Sequence, residues 1–274
     1  MKKTFLFPIL LMFISLQIYA QNEQSSRIFS WDIAAGGALS SFQDLKYSEV
    51  HWTGTGFAPS MSFTWQKKGI HGTGFDVTIS TEYPKTFEGT GETKVYRGQI
   101  YYYYVHPVKH RENCQLFLGA KIDALDVNWR LIDGLSNNSS YLIFGTNIKA
   151  FSNYQRKLSD KWTLNAQLGF QLFGFIEDGT GFAYAAPQEM LEKGEYDYDE
   201  MKLPLYFTPF WDYLNIETNF RFSYGKRWVF SYMWRMQQSY IVKGYKETSG
   251  YSAIAVGFKL ISKNKAKTNL DIED

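Results

Sequence analysis

Three groups of side chains in this 274-residue chain have types that do chemistry. Glu49 and His51, together with Asp197 and Asp199, are the carboxylates and imidazole that activate a water for hydrolysis when they converge. His106, His110 and Cys114 recur every four residues, with His71 elsewhere, and all are acceptable zinc ligand types. Glu189, Glu192, Glu195, Asp197, Asp199 and Glu200 crowd carboxylate oxygens into one short stretch, which suits a hard cation or a cationic partner. Their spacing matches no dedicated calcium loop. Gly54, Gly56, Gly72 and Gly74 sit in G-x-G pairs with no helix following, so they read as packing glycines rather than a phosphate cradle.

What these residues do depends on the elements that carry them, and the chain begins with an address. Lys2 and Lys3, the apolar run from Phe5 to Ile18 and Ala20 before Gln21 have the layout of a secretory signal, expected to occupy residues 1–20. No later stretch approaches the roughly twenty apolar residues of a spanning helix. Loss of Lys2 and Lys3 leaves the cations and acids balanced, so nucleic acid is excluded as a general partner. Cys114 is the single cysteine, so no internal disulfide forms. Twenty Tyr and 22 Phe accompany a negative mean hydropathy, an aromatic load that suits a lipid-facing wall better than a soluble core.

Alternation locates that wall. Phe29, Trp31, Ile33 and Leu39 share one parity while Ser30, Asp32, Ala34 and Ala38 share the other, which is the period of a strand with one apolar face. The pattern recurs along the chain and predicts strands over 27–42, 52–66, 70–82, 94–106, 114–128, 140–155, 161–175, 212–224, 227–241 and 250–261. Short connections at 67–69, 107–113, 156–160 and 225–226 then alternate with longer ones at 43–51, 83–93, 130–139, 177–211 and 242–249. This is the plan of an all-β, transmembrane antiparallel up-and-down β-barrel with short periplasmic turns and longer extracellular loops. Residues 21–274 form its single domain. If the flanks of the loop 177–211, at 181–185 and 203–207, cross the membrane rather than pairing above it, the barrel has 12 strands instead of about 10. Trp31, Trp65, Trp162 and Trp228 fall on the lipid-facing parity near the periplasmic end, where an aromatic belt belongs. A secreted sandwich would instead bury the aromatic face between two sheets.

The opposite parity predicts a lumen of both charge signs: Asp32, Asp76, Glu82, Asp123 and Glu217 with Arg97, Lys121, Lys149, Arg221, Arg235 and Lys259. In a barrel this narrow such groups pair across the interior, and the alternative is a narrow solute channel. On the same topology only His51 reaches the outer rim, so an outer-rim hydrolase would take it as base. Pro107 interrupts regular structure beside His106, so no metal and no cofactor is expected. Glu49 and His51 with Asp197 and Asp199 bear a superficial similarity to the acid–histidine and paired-Asp motifs of omptin proteases. Their chain order is reversed and Glu49 replaces an Asp, so that family's catalytic residues do not carry over.

The signal ending Tyr19-Ala20-Gln21, the dense Tyr, Phe and Trp strands and turns such as Leu158 to Trp162 make the mature chain similar to the small, aromatic-rich outer-membrane β-barrel proteins of Bacteroidota. The resemblance implies the outer membrane of a Gram-negative bacterium, with lipid and lipopolysaccharide around the barrel. It implies location more than task. The expected role is structural or accessory and non-catalytic, with the acidic loop contacting a surface protein or ligand.

Overall fold

The computed structural model describes residues 27–44, 48–66, 68–85, 91–133, 139–178, 205–225, 227–240 and 246–264. The signal at 1–20 and the acidic stretch 189–200 lie outside them. Twelve strand segments carry the described chain: β1 (Arg27–Asp44), β2 (Ser48–Phe57), β3 (Ser60–Gln66), β4 (Ile70–Pro84), β5 (Glu92–Arg111), β6 (Cys114–Asp133), β7 (Ser139–Lys157), β8 (Trp162–Asp178), β9 (Leu205–Pro209), β10 (Tyr213–Tyr224), β11 (Trp228–Ser239) and β12 (Glu247–Asn264).

Pairing resolves the twelve segments into ten staves. β2 pairs the upper part of β1 and β3 its lower part, and both then pair β4, so they are one stave broken at Ala58 and Pro59. Pro59 has no N–H to donate, and such a residue marks an interruption in a ladder. β9 pairs Phe173–Glu177 of β8 while β10 pairs Trp162–Phe170, so they too form one stave, kinked at residues 210–212. All neighbours run antiparallel, and β1 pairs β12 from Arg27↔Asn264 to Asp44↔Glu247, closing the ring. Where β10 pairs both β8 and β11 the ring has no free edge, which is the condition for strands to cross hydrocarbon; among the described residues β9 pairs only β8.

The expected strands are all present, and most run further than alternation alone indicated. β5 continues through Pro107 to Arg111 where a turn was expected at 107–113, and its register shift between Pro107 and Lys109 absorbs the missing N–H. Leu205–Pro209 does not make an extra crossing; it lengthens the stave of β10 along β8. The Gly225 turn is as expected, and its φ of 60° is one that glycine adopts without Cβ strain.

The polarity of the ring is inverted relative to a soluble barrel. Ile33, Leu39, Leu118, Leu168, Ile254 and Phe258 stand 48–70% accessible on the outer wall. Each such side chain in water would forgo about 1.5–3 kcal/mol of burial, a loss that hydrocarbon removes. At the end bearing the short turns, Trp31, Trp162 and Trp228 are exposed on that wall, with Trp228 4.4 Å from Phe258 and Trp162 4.9 Å from Tyr224 by ring centroids. Trp65 joins them, stacked on His71 at 5.0 Å, and His71 Nδ1 lies 2.8 Å from the Tyr102 hydroxyl. Tyr96 and Trp129 pair at 5.4 Å near the opposite end. An apolar wall between two aromatic belts matches a bilayer's hydrocarbon and its two interfaces.

Candidate functional site

The interior of the ring is where the charged side chains meet. Asp32, Asp76, Glu82, Asp123, Asp126 and Glu217 stand against Arg97, Lys121, Arg130, Lys149, Arg221 and Arg235, so the signs balance. At mid-height Lys149 Nζ is 2.7 Å from Asp123 and 2.5 Å from Glu217, while Lys121 bonds Glu217 and lies 3.5 Å from Asp123. Three strands, β6, β7 and β10, thus hold one two-plus-two cluster, and Gln99 of β5 donates to Asp123. Lys121 also sits 4.2 Å over the Tyr101 ring. Toward the end bearing the longer connections, Asp126 accepts from Arg235, from Asn147 at 3.0 Å, from Gln237 at 3.2 Å and from Asn215 at 3.3 Å. Above it Glu82 and Arg130, both inaccessible, form an ion pair, with Arg97 3.6 Å from the other Glu82 oxygen and Arg130 packed 3.7 Å over Phe42. Near the short-turn end Arg221 donates to Asp32 at 3.1 Å and to Ser62 at 2.9 Å.

Apolar layers close the gaps between these tiers. Ile70, Tyr101, Tyr103, Val105, Phe117 and Phe151 pack below the central cluster, and Phe42, Ile143, Ile176 and Tyr213 pack at the far end with Trp52. Between the tiers a cavity of about 30 Å³ is bordered by Asp76, Tyr101, Lys121, Glu217 and Arg235, room for about two waters. Asp76 Oδ1 and Asn219 Oδ1 border it as buried oxygens without a protein partner among the described residues. Among the described residues these ion-paired tiers and apolar layers occupy the interior.

Of the residues expected in the lumen, Asp76 borders the cavity without an ion pair among the described residues, and Lys259 lies half-buried near the short-turn end opposite Asp32 in register. Asp126 and Arg130 are additions that simple parity missed. Odd positions of β6 point inward up to Asp123, and the register shift between Asp123 and Asp126 hands that face to even positions above it. For Asp126 the signal was present in the sequence, since unshifted alternation would put its carboxylate into lipid; Arg130 fell in the expected loop 130–139, into which β6 in fact extends. The glycines behave as expected: Gly72 and Gly74 face Tyr103 and Tyr101 across the β4–β5 pair, each covered by the ring opposite.

The other candidates do not assemble. His51 is exposed at the upper end of β2; Asp197 and Asp199 lie outside the described residues, and of Glu49 only the backbone is described. His106 and His110 are both exposed on the protruding β5–β6 hairpin. Residues four apart on a strand are separated by about 13 Å, so the four-residue spacing cannot bring them with Cys114 onto one ion. Among the described residues no group of three or more His, Cys, Asp or Glu side chains converges on a metal position.

Ten antiparallel staves closed into a ring, an apolar wall between aromatic belts and a charged, filled interior define a transmembrane β-barrel of the outer-membrane type. No family model matches the chain, and no curated protein matches it. Among solved structures it is similar to the outer membrane protease OmpT from Escherichia coli, at 8% identity and a TM-score of 0.45 over 88% of this chain and 97% of that one. It is also similar to Ail, the attachment invasion locus protein of Yersinia pestis, at 11% identity and a TM-score of 0.33 over 84% and 98%. The outer membrane protein OprG from Pseudomonas aeruginosa shows 12% identity and a TM-score of 0.33 over 87% and 99%. The architecture rests on the strand pairing and the polarity of the wall, independently of these likenesses.

Proposed function

We propose that the mature protein starts near Gln21 after loss of a signal at 1–20, sits in the outer membrane of a Gram-negative bacterium, and acts through its outward-facing loops rather than through its lumen. The observation that carries this reading is the cross-paired interior: Lys121, Lys149, Asp123 and Glu217 neutralise one another at mid-height. An ion entering there would have to break contacts already desolvated and satisfied. The role is then structural or accessory and non-catalytic. The acidic residues Glu189, Glu192, Glu195, Asp197, Asp199 and Glu200 contact a cationic surface partner.

Two measurements on the full chain test this. Planar bilayers containing the folded protein carry no ohmic current above background; a steady single-channel conductance would overturn the lumenal half of the proposal. Deletion of residues 186–202 leaves the folded barrel intact and removes a protein that co-purifies with the wild type. Retention of that protein by the deletion variant would overturn the loop half.

A further inference from the structure

The outer wall is not uniformly apolar. Where β12, β1, β2 and β4 approach the end bearing the longer connections, lateral register sets Ser252, Leu39, Thr55 and Thr81 in one row and Gly250, Ser41, Thr53 and Tyr83 in the next. Small and hydroxylated residues stand here, whereas the same lanes lower down carry Ile33, Phe63, Phe75 and Phe258. The result is a groove of about 600 Å³ on the wall, flanked by Trp234 on one side and Tyr83 on the other.

Height fixes what surrounds this groove. Leu39 and Ser41 lie eight and ten residues along β1 from Trp31 of the lower belt. With a rise of about 3.3 Å per residue and a tilt of about 40°, they stand about 20 and 25 Å above it. The apolar band of such a barrel is about 25 Å tall, so the groove straddles the upper boundary of the hydrocarbon. Ser41 and Thr53 of the upper row lie level with headgroups, and Leu39 and Trp234 of the lower row level with acyl chains.

Charge at the same level selects the headgroup. Lys85 lines the groove, and Lys94 follows Thr81 in register on the same face. Both are exposed and neither has an ion-pair partner among the described residues. His51, also exposed, adjoins them, since the Lys85 N–H donates to its carbonyl oxygen at 2.8 Å. Glu92, two positions above Lys94 on β5, lies opposite Asp133 in register, so the positive charge beside the groove is local to Lys85 and Lys94. A lysine ammonium is a point charge suited to phosphate oxygens, and Ser and Thr hydroxyls with an aromatic flank suit a sugar.

We propose that this groove binds a phosphorylated glycolipid of the outer leaflet, with phosphate at Lys85 and Lys94, sugar against the hydroxyl rows and an acyl chain against Leu39 and Trp234. A second copy of the chain fits less well, because it offers no phosphate to Lys85 and Lys94. The inference rests on the outer-membrane reading above and deepens it.

The test is native mass spectrometry of the full folded barrel with added diphosphorylated lipid A, the same lipid enzymatically dephosphorylated, and inorganic phosphate. The diphosphorylated lipid is expected to bind at least tenfold more tightly than its dephosphorylated form, and inorganic phosphate is not expected to displace it. K85Q/K94Q removes that preference. G250L obstructs the groove and weakens both lipids; the position accepts a side chain, because a Cβ there would meet nothing nearer than Ser41 Oγ at 3.4 Å. Equal binding of the two lipids, displacement by inorganic phosphate, lipid binding unaffected by either variant, or a lipid-free dimer would each overturn the site. Heat-modifiable migration run in parallel separates the two failures. A wild type without a shift sinks the barrel reading, whereas a shift without phosphate preference sinks the groove alone.

Discussion

Replacing Glu217 by Gln removes one charge from the central cluster and leaves Lys121 and Lys149 to share Asp123. Lys149 Nζ and Glu217 are 2.5 Å apart. Coulomb's law with an effective dielectric of about 20 puts that single attraction at about 7 kcal/mol before desolvation is subtracted. Breaking a buried pair by removing one partner costs about 3–5 kcal/mol net, because the remaining charge stays buried without its counter-ion. That is about two to four orders of magnitude in the folded-to-unfolded ratio. The assay is the urea or guanidinium midpoint of the lipid-reconstituted barrel, followed by the fraction migrating as the compact unboiled band. Glu217→Gln is expected to lower the midpoint strongly. The double variant E217Q/K149M is expected to recover part of the loss, because Lys121 and Asp123 then remain as a matched pair 3.5 Å apart. A single variant within about 1 kcal/mol of wild type, or a double variant whose loss is the sum of the two singles, would refute the view of the lumen as one coupled charge network.

Lys157 and Asp160 form an ion pair of comparable length, 2.7 Å, but with side chains 57% and 96% accessible in the short-turn region. The Lys157 ammonium holds the Asp160 carboxyl below the usual carboxylate range, yet Lys157→Ala is expected to leave the same midpoint unmoved, since water already solvates both charges. Gly72→Val places a Cβ 2.2 Å from the Tyr103 ring, so the ring must leave its place over β4; a loss of about 1–3 kcal/mol is expected, and wild-type stability would refute the packing role. Cys114, partly accessible beside the β5–β6 turn, is expected to resist a membrane-impermeant maleimide in intact cells and to react after the outer membrane is permeabilised. Labelling in intact cells would invert the topology.

The ring itself was legible in the sequence because its physical cause is local. Every residue of β1 from Phe29 to Phe42 obeys one alternation, and an apolar wall beside a polar interior can be read from that period alone. The lumen was legible only as far as the period held. Asp126 escaped because a bulge in β6 changes which parity points inward, and a bulge is a property of two strands in register rather than of one segment; Arg130 escaped because β6 runs on to Asp133, through residues expected in the loop 130–139. Pro107 misled for the opposite reason: a lost N–H stops an interior strand but is tolerated where a hairpin projects past the wall. The breadth of the hydroxyl-lined groove was invisible in any single strand. Ser252, Thr55 and Thr81 are unremarkable separately and become one surface only when the ring aligns them.

Electrophoretic migration of the outer-membrane fraction, unboiled against boiled, tests the closed transmembrane ring most directly. Ten staves hydrogen-bonded into a closed ring resist detergent, so the unboiled protein is expected to run faster than its boiled form and to stay with the membrane pellet. A protein recovered in the soluble periplasmic fraction, with identical migration before and after boiling, would contradict it.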